Sequence, residues 1–119
     1  MIILNENTDF PDVSQTTFEG LLAIGGNLSI KRLLSAYKKG IFPWFSDDEP
    51  ILWWSPDPRF VLFPEELHVS KTMKQLLKKN HFEVTINKDF KSVIERCSKT
   101  KRVGQDDTWI TQDMIDAYL

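Results

Sequence analysis

The sequence predicts an α+β protein divided near residue 57, with one part over 1–57 and another over 58–119. Three observations carry this expectation. Apolar residues repeat with helical spacing at 30–39, alternate at 82–86, and return to helical spacing at 89–97. Pro56 and Pro58 interrupt the most apolar run of the chain and mark the boundary. The composition, 41% hydrophobic and 27% charged over 119 residues, is that of an ordinary soluble protein long enough to bury a core.

Taken in order, 10–28 contains Pro11, Gly20 and the pair Gly25-Gly26 among short apolar pieces, and reads as loop. Ser29 is placed to cap a helix over 30–39, because its hydroxyl can accept a free N–H of the first turn. Leu33, Leu34 and Tyr37 share one face of that helix, and Gly40 stops it. Residues 41–45 form an aromatic-rich turn, and Asp47-Asp48-Glu49-Pro50 an exposed loop. A short buried strand is expected at 51–54, and a second strand at 59–63, closed by Pro64.

Ser70 caps a helix through 79, with Met73, Leu76 and Leu77 inside and Lys71, Lys74, Lys78 and Lys79 outside. Phe82, Val84 and Ile86 alternate as a half-buried strand. Phe90, Val93, Ile94 and Cys97 follow helical spacing, and a polar loop spans 98–107. Thr111 opens a last helix with Asp113 and Asp116 near its start, where acids complement the helix dipole. Met114, Ile115, Tyr118 and Leu119 take its apolar positions with no terminator after them, so the chain is expected to be a fragment whose last helix ends on unburied apolar residues.

Several classes are excluded. A single cysteine, Cys97, rules out an internal disulfide and a four-cysteine zinc site. No stretch approaches the roughly 18 apolar residues of a membrane span, and the start lacks the basic n-region of a signal peptide. A soluble, cytoplasmic protein with no membrane partner is expected. Net charge is −2, but it is unevenly spread: 1–57 carries four Lys/Arg against eight Asp/Glu, whereas 68–102 carries ten against three. That local positive excess is able to meet phosphates.

Few motifs point to chemistry on their own. Gly25 to Ser29 precedes a helix but lacks the Lys-Ser/Thr ending of a phosphate loop, so a structural turn is expected. His68 and His81 have no metal-ligand spacing, no metal site is expected, and Cys97 reads as packing. The lysine face at Lys71, Lys74, Lys78 and Lys79 is either a solvated helix side or, continued by Lys99, Lys101 and Arg102, a phosphate-contacting surface. Four tryptophans are the strongest raw signal. Trp53 and Trp54 lie in the apolar run, so one of them fills core; Trp44 and Trp109 lie in loops, flanked by Pro43 and by Asp107-Thr108. Aromatics held on loops suit either packing or base stacking, the latter contributing roughly 1–3 kcal/mol per base.

Three blocks, taken together, resemble one family. They are Leu21-Leu22-Ala23-Ile24-Gly25-Gly26-Asn27-Leu28-Ser29, Ala36-Tyr37-Lys38-Lys39-Gly40-Ile41-Phe42-Pro43-Trp44-Phe45, and Ile51-Leu52-Trp53-Trp54-Ser55-Pro56-Asp57-Pro58-Arg59. Thr108-Trp109-Ile110-Thr111 is similar to a fourth, shorter block. The family is that of the leucyl/phenylalanyl-tRNA–protein transferases, and the resemblance runs from Phe18 onward. It implies a small N-terminal α+β domain over 1–57, followed over 58–119 by the opening elements of a truncated GNAT (acetyltransferase-like) α/β domain. It also implies that Trp44 and Trp109 hold the 3′-terminal adenosine of an aminoacyl-tRNA, with Tyr37 and Tyr118 around the same site. Lys71, Lys74, Lys78 and Lys79 match the surface that meets the tRNA acceptor stem.

The activity so implied moves Leu or Phe, and also Met, from leucyl-tRNA or phenylalanyl-tRNA to the N-terminal α-amine of acceptor proteins beginning with Arg or Lys, marking them for degradation. An activated ester and an amine of pKa about 8 require neither a cofactor nor an enzyme nucleophile. Positioning, a proton acceptor and an oxyanion donor then supply the rate. The resemblance places the catalytic residues beyond Leu119, so this chain alone is expected to be inactive. Two other classes stay open: a non-catalytic module that binds a tRNA end, and a structural fragment whose aromatics are only core.

Overall fold

The computed structural model describes residues 2–104 and 108–119 and is a mixed α+β structure. The chain forms two compact units, one of Met1–Asp57 with Phe90–Leu119 and the other of Pro58–Asp89.

The first unit is built on a four-stranded sheet. Its strands are β1 (Ile2–Leu4), β2 (Leu21–Gly25), β3 (Phe42–Pro43) and β4 (Leu52–Trp54), in the order β1-β2-β4-β3. β1 lies parallel to β2, with Ile3 opposite Ile24; β4 runs antiparallel to both β2 and β3. The expected loop over 10–28 is therefore corrected, because Leu21–Gly25 is a central strand. Its apolar run is too short and too continuous to show a period of two, and only the neighbours it acquires on both edges reveal it. The aromatic turn at 41–45 likewise contributes the two residues of β3 to the sheet edge. The strand expected at 51–54 is present as β4.

Trp53 fills the core. It is wholly buried, meets Phe10 edge-on at 4.8 Å between ring centroids, and donates its indole N–H to the Gly25 carbonyl at 2.9 Å. Leu4, Leu22, Ala23, Leu33, Ala36 and Ile41 complete the buried cluster, with Ala117 and Tyr118 packed against it.

Helix α1 (Ile30–Lys38) starts where Ser29 Oγ accepts the Arg32 N–H. It ends in a Schellman turn: the Ile41 N–H reaches the Ala36 carbonyl and the Gly40 N–H reaches that of Tyr37, with Gly40 at φ +73°. The turn drops Ile41 into the core and lets β3 begin. Helix α3 (Phe90–Lys99) follows the expected spacing with Cys97 half-buried, and runs into the loop expected over 98–107. Residues 105–107 of that loop, including the Asp107 flank of Trp109, lie outside the described residues. Helix α4 (Gln112–Tyr118) is capped by Thr111, whose Oγ1 accepts the Met114 N–H. The expectation of an unburied end is corrected here: Met114 and Ile115 are buried, and Leu119 is the exposed member of the set.

The second unit contains α2 (Lys71–Lys78), capped as expected by Ser70 Oγ at the Met73 N–H, and one turn of 3-10 helix at Pro64–Glu66. The strands expected at 59–63 and 82–86 do not form, and Met73, Leu76 and Leu77 are exposed instead of inside. A strand is stabilised by the ladder of a neighbour, and Pro58–Asp89 contains no strand to provide one. Among the described residues no helix is long and apolar enough to cross a membrane.

Candidate functional site

Tyr37 and Tyr118 stand 81 positions apart in the chain, and the fold brings them together. Tyr37 is on the last turn of α1, held in place by the Ser29 cap and the Gly40 turn; Tyr118 is the last residue of α4, held by the burial of Met114 and Ile115. Their hydroxyls are 2.5 Å apart and their rings meet edge-on, with 6.4 Å between centroids. Burial, and then the hydrogen bond to Tyr37, push the Tyr118 pKa well above the ordinary tyrosine value of 10.0. The Tyr118 hydroxyl therefore stays protonated at neutral pH. The two tyrosines rim a cavity of about 470 Å³ whose walls are largely apolar: Leu28, Ile30, Leu33, Leu34 and Ala117. An apolar depression with a small number of fixed polar groups at its rim is the usual build of a small-molecule or nucleoside site.

Trp44 is presented differently. Its backbone is gripped from two sides, the N–H donating to the Leu52 carbonyl at 3.0 Å and the carbonyl accepting the Trp54 indole N–H at 2.7 Å. Its ring tilts against Trp54 at 6.0 Å between centroids and is still 55% exposed. Trp109 is 43% exposed, and the next residue's N–H is tied back to Thr108 Oγ1. Thr108 and Ile110, on either side of Trp109, line one cavity of about 430 Å³ together with Ser46, Asp47 and Asp48, which follow Trp44 in the chain. The two loop tryptophans thus come from segments that line one cavity, both side chains are partly exposed, and the Trp44 main chain is fixed by hydrogen bonds on both sides. Such rings lose little freedom on stacking a planar ligand.

Lys71, Lys74 and Lys78 share one side of α2 and Lys79 is its C-cap; all four are exposed. They belong to the other compact unit, whereas Lys99, Lys101 and Arg102 belong to the first. His68 and His81 are exposed, and among the described residues no group of three His, Cys, Asp or Glu side chains is placed to hold a metal ion. The glycine turn before α1 is structural: the Gly25 and Gly26 N–H groups already donate to the Ile51 and Leu4 carbonyls, so they are not open to an anion.

Arg32 escapes a reading from sequence, where it is merely one of four basic residues before position 57. In the fold it is 8% exposed and lies 5.3 Å from the Phe10 ring centroid. It donates to the Thr8 carbonyl, to the Asn5 carbonyl at 2.9 Å and to the Glu6 carbonyl at 3.1 Å. It fixes the loop after β1 against α1, the helix that carries Tyr37. The available signal is positional: Arg32 and Ala36 are four apart, on the buried side of an otherwise regular helix.

Two family models match the chain. One, described as the N-terminal domain of leucyl/phenylalanyl-tRNA protein transferase, covers residues 26–57; the other, described as leucyl/phenylalanyl-tRNA protein transferase, covers 61–119. The chain is 56% identical over 118 residues to a leucyl/phenylalanyl-tRNA–protein transferase of Flavobacterium johnsoniae, which is 99% of this chain and 56% of that protein. It is 53% identical over 116 residues to the one from Oleidesulfovibrio alaskensis (98% and 47% of the two chains). A relative from Syntrophus aciditrophicus is 55% identical over 109 residues (92% and 46%). The chain spans about half the length of the curated relatives it matches.

Proposed function

The chain belongs to the leucyl/phenylalanyl-tRNA protein transferase family, and from that premise we propose that it serves an aminoacyltransferase reaction in the cytoplasm. Leu or Phe, and also Met, passes from aminoacyl-tRNA to the N-terminal α-amine of a protein beginning with Arg or Lys, which is thereby marked for degradation. The observation that carries the site assignment is the hydroxyl-paired Tyr37 and Tyr118 at the rim of an apolar cavity. In this reading that pair lies around the 3′-terminal adenosine, which Trp44 and Trp109 hold by stacking. Lys71, Lys74, Lys78 and Lys79 contact phosphates of the acceptor stem, adding affinity without sequence choice.

The chemistry is attack of a neutral α-amine on the aminoacyl ester carbonyl, with the tRNA 3′ oxygen leaving as the hydroxyl once it takes a proton. The residues of this chain bind and orient the tRNA end; the proton acceptor and the amino-acid pocket lie beyond Leu119, in the remainder of an acetyltransferase-like domain that begins at 58. An apolar pocket distinguishes side chains differing by one methylene by only about 1–3 kcal/mol, which is why Leu, Phe and Met share it.

The test is transfer of radiolabelled leucine from leucyl-tRNA to a protein beginning with Arg, run beside a binding assay with the same tRNA. This chain is expected to transfer nothing and to bind leucyl-tRNA, with Trp44→Ala and Trp109→Ala each weakening binding about tenfold, as expected for one lost stacking contact. Detectable transfer overturns the inactivity. Unchanged binding in both folded variants overturns the site. Binding without transfer, even when the chain is extended by the unmatched part of the Flavobacterium johnsoniae relative, favours the second reading, a module that holds a tRNA end without chemistry.

A further inference from the structure

We propose that Arg32 is a positioning residue for the site at Tyr37 and Tyr118: its guanidinium group sets one wall of the apolar cavity that the two tyrosines rim. That wall is Leu28, Ser29, Ile30, Leu33 and Leu34; the opposite one is α4 around Ala117 and Tyr118. Helix α4 is held by its buried Met114 and Ile115. The first wall has less beneath it, since Ile30 is 73% and Leu34 57% exposed. Polar contacts hold it instead, and they converge on Arg32.

The Arg32 N–H donates to Ser29 Oγ at 3.3 Å, and the guanidinium donates to the Asn5, Glu6 and Thr8 carbonyls of the loop after β1. A Cβ on Gly26 would stand 3.7 Å from Arg32 Cζ and Nε, so the guanidinium also lies against the segment that leads into Leu28. That segment is tied to the same loop by the Gly26 N–H on the Leu4 carbonyl at 3.0 Å. Loop, approach segment and first helical turn are thus joined through one buried planar group. Shape matters here as much as charge. Two guanidinium nitrogens reach three carbonyls, which a lysine ammonium, one nitrogen on a flexible stem, does not reproduce. A wall fixed before the ligand arrives need not be ordered during binding.

The binding arm of the test rests on the tRNA-end reading of this site; the tyrosine arm does not. The chain has two tyrosines, so phenolate absorbance reports Tyr37 and Tyr118 alone. Burial holds the Tyr118 pKa above 10.0, and Tyr37 and Asp116 are the other titratable side chains lining the cavity. Arg32→Lys is expected to keep a cooperative urea transition while Tyr118 ionises closer to 10.0, because water enters the loosened cavity. Its Kd for leucyl-tRNA is expected to rise about tenfold. Lys31→Met, which removes the neighbouring exposed charge, is expected to leave the tyrosine titration unchanged. In Arg32→Ala, added methylguanidinium is expected to restore the titration and methylammonium is not. An Arg32→Lys chain that does not fold assigns Arg32 to the core and overturns the proposal. So does a folded Arg32→Lys chain with the unaltered tyrosine titration, a shifted titration with unchanged Kd, a shift in Lys31→Met as large as in Arg32→Lys, or methylguanidinium that restores no more than methylammonium. Failure of the unaltered chain to bind leucyl-tRNA overturns the reading of the site instead, and the tyrosine titration still decides whether Arg32 places the wall.

Discussion

Trp53 touches most of what holds the first unit together. Its ring is enclosed, its N–H is satisfied at Gly25, and Phe10 packs against it edge-on. Trp53→Ala is expected to remove about 3–5 kcal/mol, a large share of the stability of a small protein, and urea unfolding should report it as a lost or broadened transition. Gly25 permits the exit from β2: at φ +88°, an added Cβ would sit 2.9 Å from the Leu4 carbonyl oxygen. Gly25→Ala should cost at least about 1–2 kcal/mol from the left-handed backbone alone, read as a fall in the urea midpoint. Tyr118 gives a pH signature. Its pKa is higher folded than unfolded, so its contribution to stability is complete below 10.0 and is lost as pH rises through the higher folded value. Unfolding free energy should therefore fall at pH above 10.0, and Tyr118→Phe should flatten that fall; an unchanged slope in the variant would contradict the burial of this hydroxyl.

Two helices show what capping can and cannot achieve at the scale of an element. Both α1 and α2 begin at a serine whose Oγ accepts the N–H three residues on, and both are amphipathic. They differ in what covers them: α1 buries Leu33 and Ala36, and α2 buries nothing. Helices shorter than about 12–15 residues are marginal in water without tertiary support, so amides of α1 should exchange far more slowly than those of α2. Equal protection of both in native-state hydrogen exchange would mean that packing is not the source of α1's stability. The caps, helix ends and helical spacing were legible in the sequence because they are local. The β2 and β3 ladders were not, since a strand of five residues or of two is defined by neighbours far along the chain.

For the whole molecule, the division between a unit with a core and a unit without one sets where the chain is vulnerable. Trypsin should cut first within Pro58–Asp89, at exposed basic sites such as Lys78 and Lys79, while the segments before and after remain associated through the buried Met114 and Ile115 and the contact of Tyr118 with the core cluster. Co-elution of the two flanking segments after limited digestion is the expected outcome; separation of the two on a sizing column would show that α4 is not held by that core.

The sequence by itself determined the mixed α+β class, the caps at Ser29, Ser70 and Thr111, the stop at Gly40 and the exposed acidic loop at 47–50. Each depends on residues within a turn or two of one another. Only the tertiary structure decided that Tyr37 meets Tyr118, that Arg32 is buried under three carbonyls, and that the apolar runs at 59–63 and 82–86 stay out of any sheet. Those outcomes depend on which surfaces are present to be buried against. A pattern of side chains specifies which face seeks cover, and the chain's long-range packing decides whether that face finds it.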